Sequence, residues 1–380
     1  MMKPQPWTDE LLNALRKQGD PLADETVGQL FEEGKVPAAN ALMKQLIVNE
    51  QMSVELLAPP LRDYFHQSGQ LPPWADLRLV RQGEELFGRH GPHITAALFC
   101  ASLPSCYAAV SIAQVLGLTA RLETDPYRRI VETTQLIVDV MAPGGLAEGG
   151  RGLRSVQKVR LMHAAVRHLI RQRGTWDSSW GQPINQEDLV ATLLTFSTTV
   201  LRSLERMGCE LTDEERRAYY HAWRVVGHVM GIDERLLPET PEEGARLQQV
   251  IERRLHGASA EGKALTRALL QLMEHVIPGN IFDGMPATLM RYLLGDETAD
   301  LVSVPSASWT QLMVGPLRLL GWVSDGMVDL QGPLGAKLAG LFGRRLIEGL
   351  LWVNRGPERV PFRLPTELRT SWNVRGWERP

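Results

Sequence analysis

Apolar residues recur along most of this chain at three- and four-residue intervals, the spacing that lines side chains along one face of an α-helix. The first such run covers residues 9–17. Thr8 is placed to cap it, and Glu10 lies in its first turn, where a carboxylate favours the helix dipole. Residues 24–33 and 38–49 read as two more helices. Leu71-Pro72-Pro73-Trp74 is a break, and Asp125 before Pro126 is a helix start, because proline's missing N–H costs nothing in a first turn. Pro143-Gly144-Gly145 ends that helix. The spacing predicts further helices over 186–207, 213–231, 241–255 and 260–275. Strand signals are thin: residues 323–330 suggest one small hairpin through Asp325-Gly326.

Residues 94–120 contain no Asp, Glu, Lys or Arg, enough chain to cross a bilayer. Pro104 divides the stretch, and Ser102, Ser105, Ser111 and Gln114 interrupt it. Two buried helices, or one kinked helix, are expected rather than a membrane span. The same stretch is a natural wall for an apolar pocket, with Phe99, Leu103 and Tyr107 as candidate lining.

The histidine of greatest interest lies in residues 156–174. Val156, Val159, His163, Val166 and Ile170 fall on one side of a helix, flanked by Arg160 and Arg167, while His168 points elsewhere. An imidazole placed in this way suits an iron ligand whose cofactor carries carboxylates. It equally suits a core histidine with a hydrogen-bond partner. Elsewhere, His221 and His228 could share a helix face, as one core and one surface residue. His90 and His93 flank Gly91-Pro92 and read as loop residues, with His93 within reach of a pocket edge. Gly149–Gly152 lacks the Lys-Ser/Thr of a phosphate loop and reads as a connector. There is no G-x-S-x-G, no H-E-x-x-H and no paired-cysteine zinc pattern.

Composition adds bounds. Of 380 residues, 44% are hydrophobic and 22% charged, as in an ordinary protein with a full core. Residues 1–380 read as a single domain, with a core at about 80–290 and helical additions at 1–79 and 291–380. The net charge of −3 argues against a nucleic-acid surface. Three cysteines cannot form a disulfide framework. With no apolar signal core at residues 1–12, the expectation is a cytoplasmic protein, or a mature chain whose signal has been removed.

A second stretch gives His163 a context. The R-x-x-E-T run at Arg129–Thr133 and the V-R-L-M-H-A-A-V-R run at Val159–Arg167 resemble the rubber-oxygenase family, which comprises the latex-clearing proteins and the fungal mycophenolate-pathway oxygenases. Gly227–Gly231, Leu236–Thr240, and Pro361–Pro365 ahead of Trp372 extend the likeness to about residues 80–375. The resemblance implies an all-α, globin-like core binding haem b, with His163 as the proximal iron ligand. It also implies that Arg129 and Thr133 lie over the distal face, one helical turn apart. There they would set a fixed positive charge and a hydroxyl beside substrate. Arg129, Arg160 and Arg167 become candidates for holding the haem carboxylates.

The implied activity is a haem b-dependent oxygenation, with dioxygen at a histidine-ligated iron, of an apolar, unsaturated, small or prenyl-type substrate. The alternatives are peroxidase-like, dehydratase or rearrangement chemistry in a related haem enzyme, or a non-catalytic haem sensor. One position departs from the family. Some latex-clearing proteins carry, directly before the threonine, a lysine that can coordinate iron; here Glu132 stands there. A carboxylate could take a proton from substrate or pair with Arg128 or Arg129.

Overall fold

The computed structural model describes residues 6–35, 54–119, 126–277, 284–306, 333–353 and 366–372, which form an all-α protein with no strand among them. The helix expected at 38–49 and the hairpin expected at 323–330 lie outside the described residues. Helix α1 (Asp9–Leu15) begins where its cap predicts, with the Thr8 side chain accepting from the Leu11 N–H. Helix α2 (Pro21–Glu32) starts a turn earlier than its apolar pattern suggests, because Asp20 caps it and Pro21 fits the first turn. Helix α3 (Pro59–Ser68) precedes the long α4 (Leu77–Ala97).

Helix α4 runs straight through Gly91-Pro92, so His90 and His93 are helical rather than loop residues. The cost of an internal proline is a carbonyl without its donor. That carbonyl belongs to Gly88, and it accepts from Trp372 Nε1 at 2.9 Å and Ser371 Oγ at 2.5 Å. Gly91 makes room for the same indole: a Cβ there would stand 2.0 Å from the Trp372 ring. The last described helix, α17 (Thr366–Ser371), with Trp372 just after it, thereby substitutes for the donor that Pro92 removes.

The uncharged stretch does divide, but at Ala109, whose ψ of 109° interrupts the helix, and not at Pro104, which the helix accommodates in its first turn after a π-turn. Helix α4 passes through a π-turn at Leu98–Ser102 into α5 (Leu103–Ala108), and α6 (Val110–Leu118) follows. No described helix is long and apolar enough to cross a membrane. Next come α7 (Pro126–Met141) and α8 (Arg151–Arg173), packed side by side. Gly152 permits their close approach, since a Cβ on it would lie 2.5 Å from the Asp139 carbonyl oxygen.

The run expected as one helix over 186–207 is two, α9 (Gln186–Phe196) and α10 (Thr198–Arg206). The break is at Ser197. There the hydroxyls of Thr195, Ser197 and Thr198 take the carbonyls of Thr192, Leu193 and Leu194, competing with the helix's own bonds. Helix α11 (Asp213–Val229) opens with a reciprocal capping box between Thr212 and Glu215. The described chain continues through α12 (Pro241–Leu255), α13 (Ala260–Val276), α14 (Met285–Leu294), α15 (Asp296–Leu301) and α16 (Pro333–Val353).

Helix α4 packs against α11 and α16, and its buried face joins a core running from Trp7 to Trp372. A smaller cluster, with Val27, Leu30, Leu61, Tyr64 and Phe65, lies where α2 and α3 cover Leu161 and Ala164 of α8. Helix α8 is thus covered by α2 and α3 on one side, which leaves its opposite side to the site.

Candidate active site

A cavity of about 420 Å³ opens among α5, α6, α7, α8, α9 and α11. That volume is in the range of small-molecule and cofactor sites, roughly 300–1,000 Å³. Its walls are mainly apolar. Trp223 and Val226 come from α11, Leu189, Leu193 and Phe196 from α9, and Leu103 and Tyr107 from α5. Phe99, the third residue expected there, is instead buried in the core beneath.

Helix α8 sets the orientation of the site. Val159, Met162, His163, Val166, Leu169, Ile170 and Arg173 line the cavity. At roughly 100° per residue, these positions span an arc that has His163 at one edge and Leu169 at the other. Arg160 and Arg167 fall on the far side of His163, outside that arc. Neither is therefore in the lining of the cavity in which they were expected to hold haem carboxylates. Arg160 forms a two-bond pair with Asp20, Nε to Oδ2 at 2.5 Å and Nη2 to Oδ1 at 2.8 Å, and its Nη1 reaches the Val229 carbonyl at 3.0 Å. Arg167 donates from Nε to Asp24 Oδ1 at 2.7 Å and from Nη1 to the Ile184 carbonyl at 3.0 Å. Both are buried. Their charge is spent on joining α8 to the start of α2.

Ile184 adjoins this clamp and lines the cavity. Its φ of 52° is left-handed backbone that a β-branched residue rarely adopts. Arg167 therefore shapes the cavity wall without touching the cavity.

On α7, Glu132 and Thr133 both line the cavity, facing the same space as His163. Arg129 is on the same helix, one turn before Thr133; its side chain lies outside the described residues. Three residues expected to act together, His163, Glu132 and Thr133, are thus brought to one cavity.

Two charged residues of the lining were not among the candidates taken from the sequence. Arg173 lies within the α8 arc, ten residues beyond His163, and is exposed at the cavity's edge. Helical periodicity carried one turn further would have found it. Asp188 is buried in the α9 wall, where Ser111 Oγ donates to Oδ1 at 2.6 Å and Asn185 Nδ2 donates to Oδ2 at 2.8 Å. Burial pushes its carboxyl up to about 7, against those hydrogen bonds and Arg16, which favour the ionised form. In sequence it looks like any acidic residue in a helix's first turn, so no local pattern marks it.

The other histidines lie elsewhere. His168 stacks on Phe31, ring centroids 4.2 Å apart. His221 accepts the Asp76 backbone N–H at 2.9 Å, and His228 pairs with Glu234; Trp74 packs edge-on against both. His221 is buried, as expected of a core residue, whereas His228 is half-buried rather than at the surface. His93 does not reach the cavity, since its Nε2 is held 2.8 Å from the Ala336 carbonyl.

Residues 93–325 match the family described as ER-bound oxygenase mpaB/B'/Rubber oxygenase, catalytic domain. Over 316 residues the chain is 29% identical to the rubber oxygenase of Streptomyces sp. (strain K30), which covers 82% of this chain and 77% of that protein. Its fold is similar to that of latex clearing protein in the closed state, with a TM-score of 0.74 at 23% identity, over 92% of this chain and 94% of that one. The family match spans more than half of the sequence and includes α7, α8 and the cavity between them: this chain belongs to the mpaB and rubber-oxygenase family, and is an oxygenase.

Proposed function

We infer that the protein is a haem b oxygenase in which His163 ligates the iron, and that it acts with dioxygen on an apolar, unsaturated, prenyl-type substrate. The observation that carries this reading is the meeting of His163, Glu132 and Thr133 in one mainly apolar cavity of about 420 Å³. The donor set fits. His163 is the one imidazole in the described lining, and the nearby Cys106 is a poor competitor, because burial pushes its thiol up to about 11. Haem, when bound, would supply the iron chemistry, while the protein sets ligand, burial and polarity around it.

The chain's own residues then divide the work. Arg173, at the cavity edge, offers a guanidinium to a haem carboxylate. Thr133 offers a hydroxyl that can donate to a developing negative charge. Glu132 can hold a proton taken from substrate, and Arg129 on the same helix supplies a positive charge to it or to a carboxylate. The apolar walls exclude water and select an apolar chain. The name of the Streptomyces relative, a rubber oxygenase, supports a substrate of repeating unsaturated isoprene character. The free thiols of Cys100, Cys106 and Cys209 support a reducing compartment, the cytoplasm.

The test is oxygen uptake by the purified, haem-containing protein when a prenyl-type alkene is added. Uptake matched by oxygenated product is expected. Haem-loaded protein that consumes peroxide but never dioxygen would overturn the oxygenase reading in favour of peroxidase-like chemistry.

A further inference from the structure

We propose a second metal site, remote from the cavity, in which His90, His93 and Cys209 bind a zinc ion. None of the three lines the cavity. Their donor atoms all lie within 4.8 Å of one another, the one such grouping found among the described residues. His90 and His93 are three apart on α4, so they share a face. Cys209 is presented by the turn that ends α10. Gly208 adopts a φ of 77°, and the Cys209 N–H returns to the Leu204 carbonyl at 2.9 Å, which fixes the residue in place.

The second observation concerns the tautomer of His93. Its Nε2 lies 2.8 Å from the Ala336 carbonyl oxygen, and a carbonyl can only accept. Nε2 therefore carries the proton, and Nδ1 presents a lone pair. That Nδ1 is buried and has no hydrogen-bond partner among the described residues. A buried acceptor without a donor is costly, and a metal ion would satisfy it. A ring whose far nitrogen donates to a backbone carbonyl is also the usual arrangement of a metal-ligating histidine. Gly340 on α16 leaves space for this ring, since a Cβ there would lie 2.8 Å from its Cε1 and Nε2.

Two imidazoles and a thiolate suit a borderline-soft ion, and zinc accepts this set with water as fourth ligand. Bond lengths of about 2.0 Å to nitrogen and 2.3 Å to sulfur imply donor separations of roughly 3.3–3.5 Å. The side chains would close by about 1 Å on binding. As the Zn–S bond forms, the Cys209 thiol gives its proton to solvent; nothing is oxidised or reduced. The ion would tie α4 to the end of α10 and, through His93 and Ala336, to α16.

The full chain, as purified, is passed over a chelating column, exposed to zinc sulfate and gel-filtered. About one zinc per chain should remain. X-ray absorption at the zinc edge should show one sulfur at about 2.3 Å beside nitrogen ligands. Cys209→Ser and His93→Gln should each weaken retention about 100-fold and abolish the zinc-dependent rise in melting temperature. Zinc held equally by all three proteins, no zinc in the parent, or an edge without sulfur would overturn the site. Should either variant fail to fold, the parent's edge spectrum decides alone. Neither readout depends on haem or turnover, so failure here leaves the oxygenase reading untouched.

Discussion

Arg167 Nη1 holds the main-chain carbonyl of Ile184 at 3.0 Å, and Ile184 keeps its left-handed backbone in the cavity wall. The same guanidinium is fully buried against Asp24. Arg167→Met should therefore lower stability by about 3 kcal/mol, because the Ile184 carbonyl loses its donor and Asp24 keeps only its longer pair with the half-exposed Arg171, at 3.7 Å. Arg167→Lys should not restore it, because an ammonium cannot reproduce the planar fork. Chemical denaturation of the three proteins checks this. Unchanged stability with loss of haem alone would mean that Arg167 meets the cofactor directly.

Trp372 and Pro92 form a second dependency. Since Trp372 donates to the carbonyl that Pro92 leaves without a partner, Trp372→Phe should cost about 1 kcal/mol, the worth of one hydrogen bond. Gly91→Ala should cost more, on the order of 1–3 kcal/mol, because the indole must move. Equal melting temperatures for parent and Gly91→Ala would show that α17 does not dock there.

These features mark where the sequence was readable. The apolar arc of α8 and the place of His163 on it follow from spacing alone. The side to which Arg160 and Arg167 belong does not. It depends on Asp20 and Asp24, some 140 residues away in sequence, and no periodicity within α8 reveals them. Gly91-Pro92 reads locally as a break, yet the helix survives because a donor arrives from residues 371 and 372. The split at Ser197 was visible in the run of Thr and Ser hydroxyls, had their competition for carbonyls been weighed above apolar spacing. Asp188 had no signal at all, because its character comes from burial beside Ser111.

Asp188 gives a pH dependence of known sign. Its carboxyl titrates near 7 in the folded protein against 3.8 ordinarily. Between those values the folded state binds more protons than the unfolded chain, so this group lowers stability as pH rises from about 4 to about 7. Asp188→Asn removes the titration while keeping partners for Ser111 and Asn185. Its stability should thus fall less than the parent's between about pH 4 and about pH 7. Parallel profiles would place the Asp188 carboxyl in its ordinary range.

Thr133→Val keeps the volume of the side chain and removes the hydroxyl. If that hydroxyl meets developing charge, the variant should retain haem and lose turnover on the order of 10²-fold. Glu132→Gln should likewise retain haem, with its loss confined to turnover. Steady-state rates at equal haem loading check both, and parental rates in both variants would remove α7 from the chemistry.

The most direct measurement is the haem content of His163→Ala beside the parent and His168→Ala. His163 lines the cavity, whereas His168 stacks on Phe31 outside it. The parent and His168→Ala should purify with about one haem b per chain and an intense Soret band, and His163→Ala should lose it. Full haem retention in His163→Ala would contradict the account.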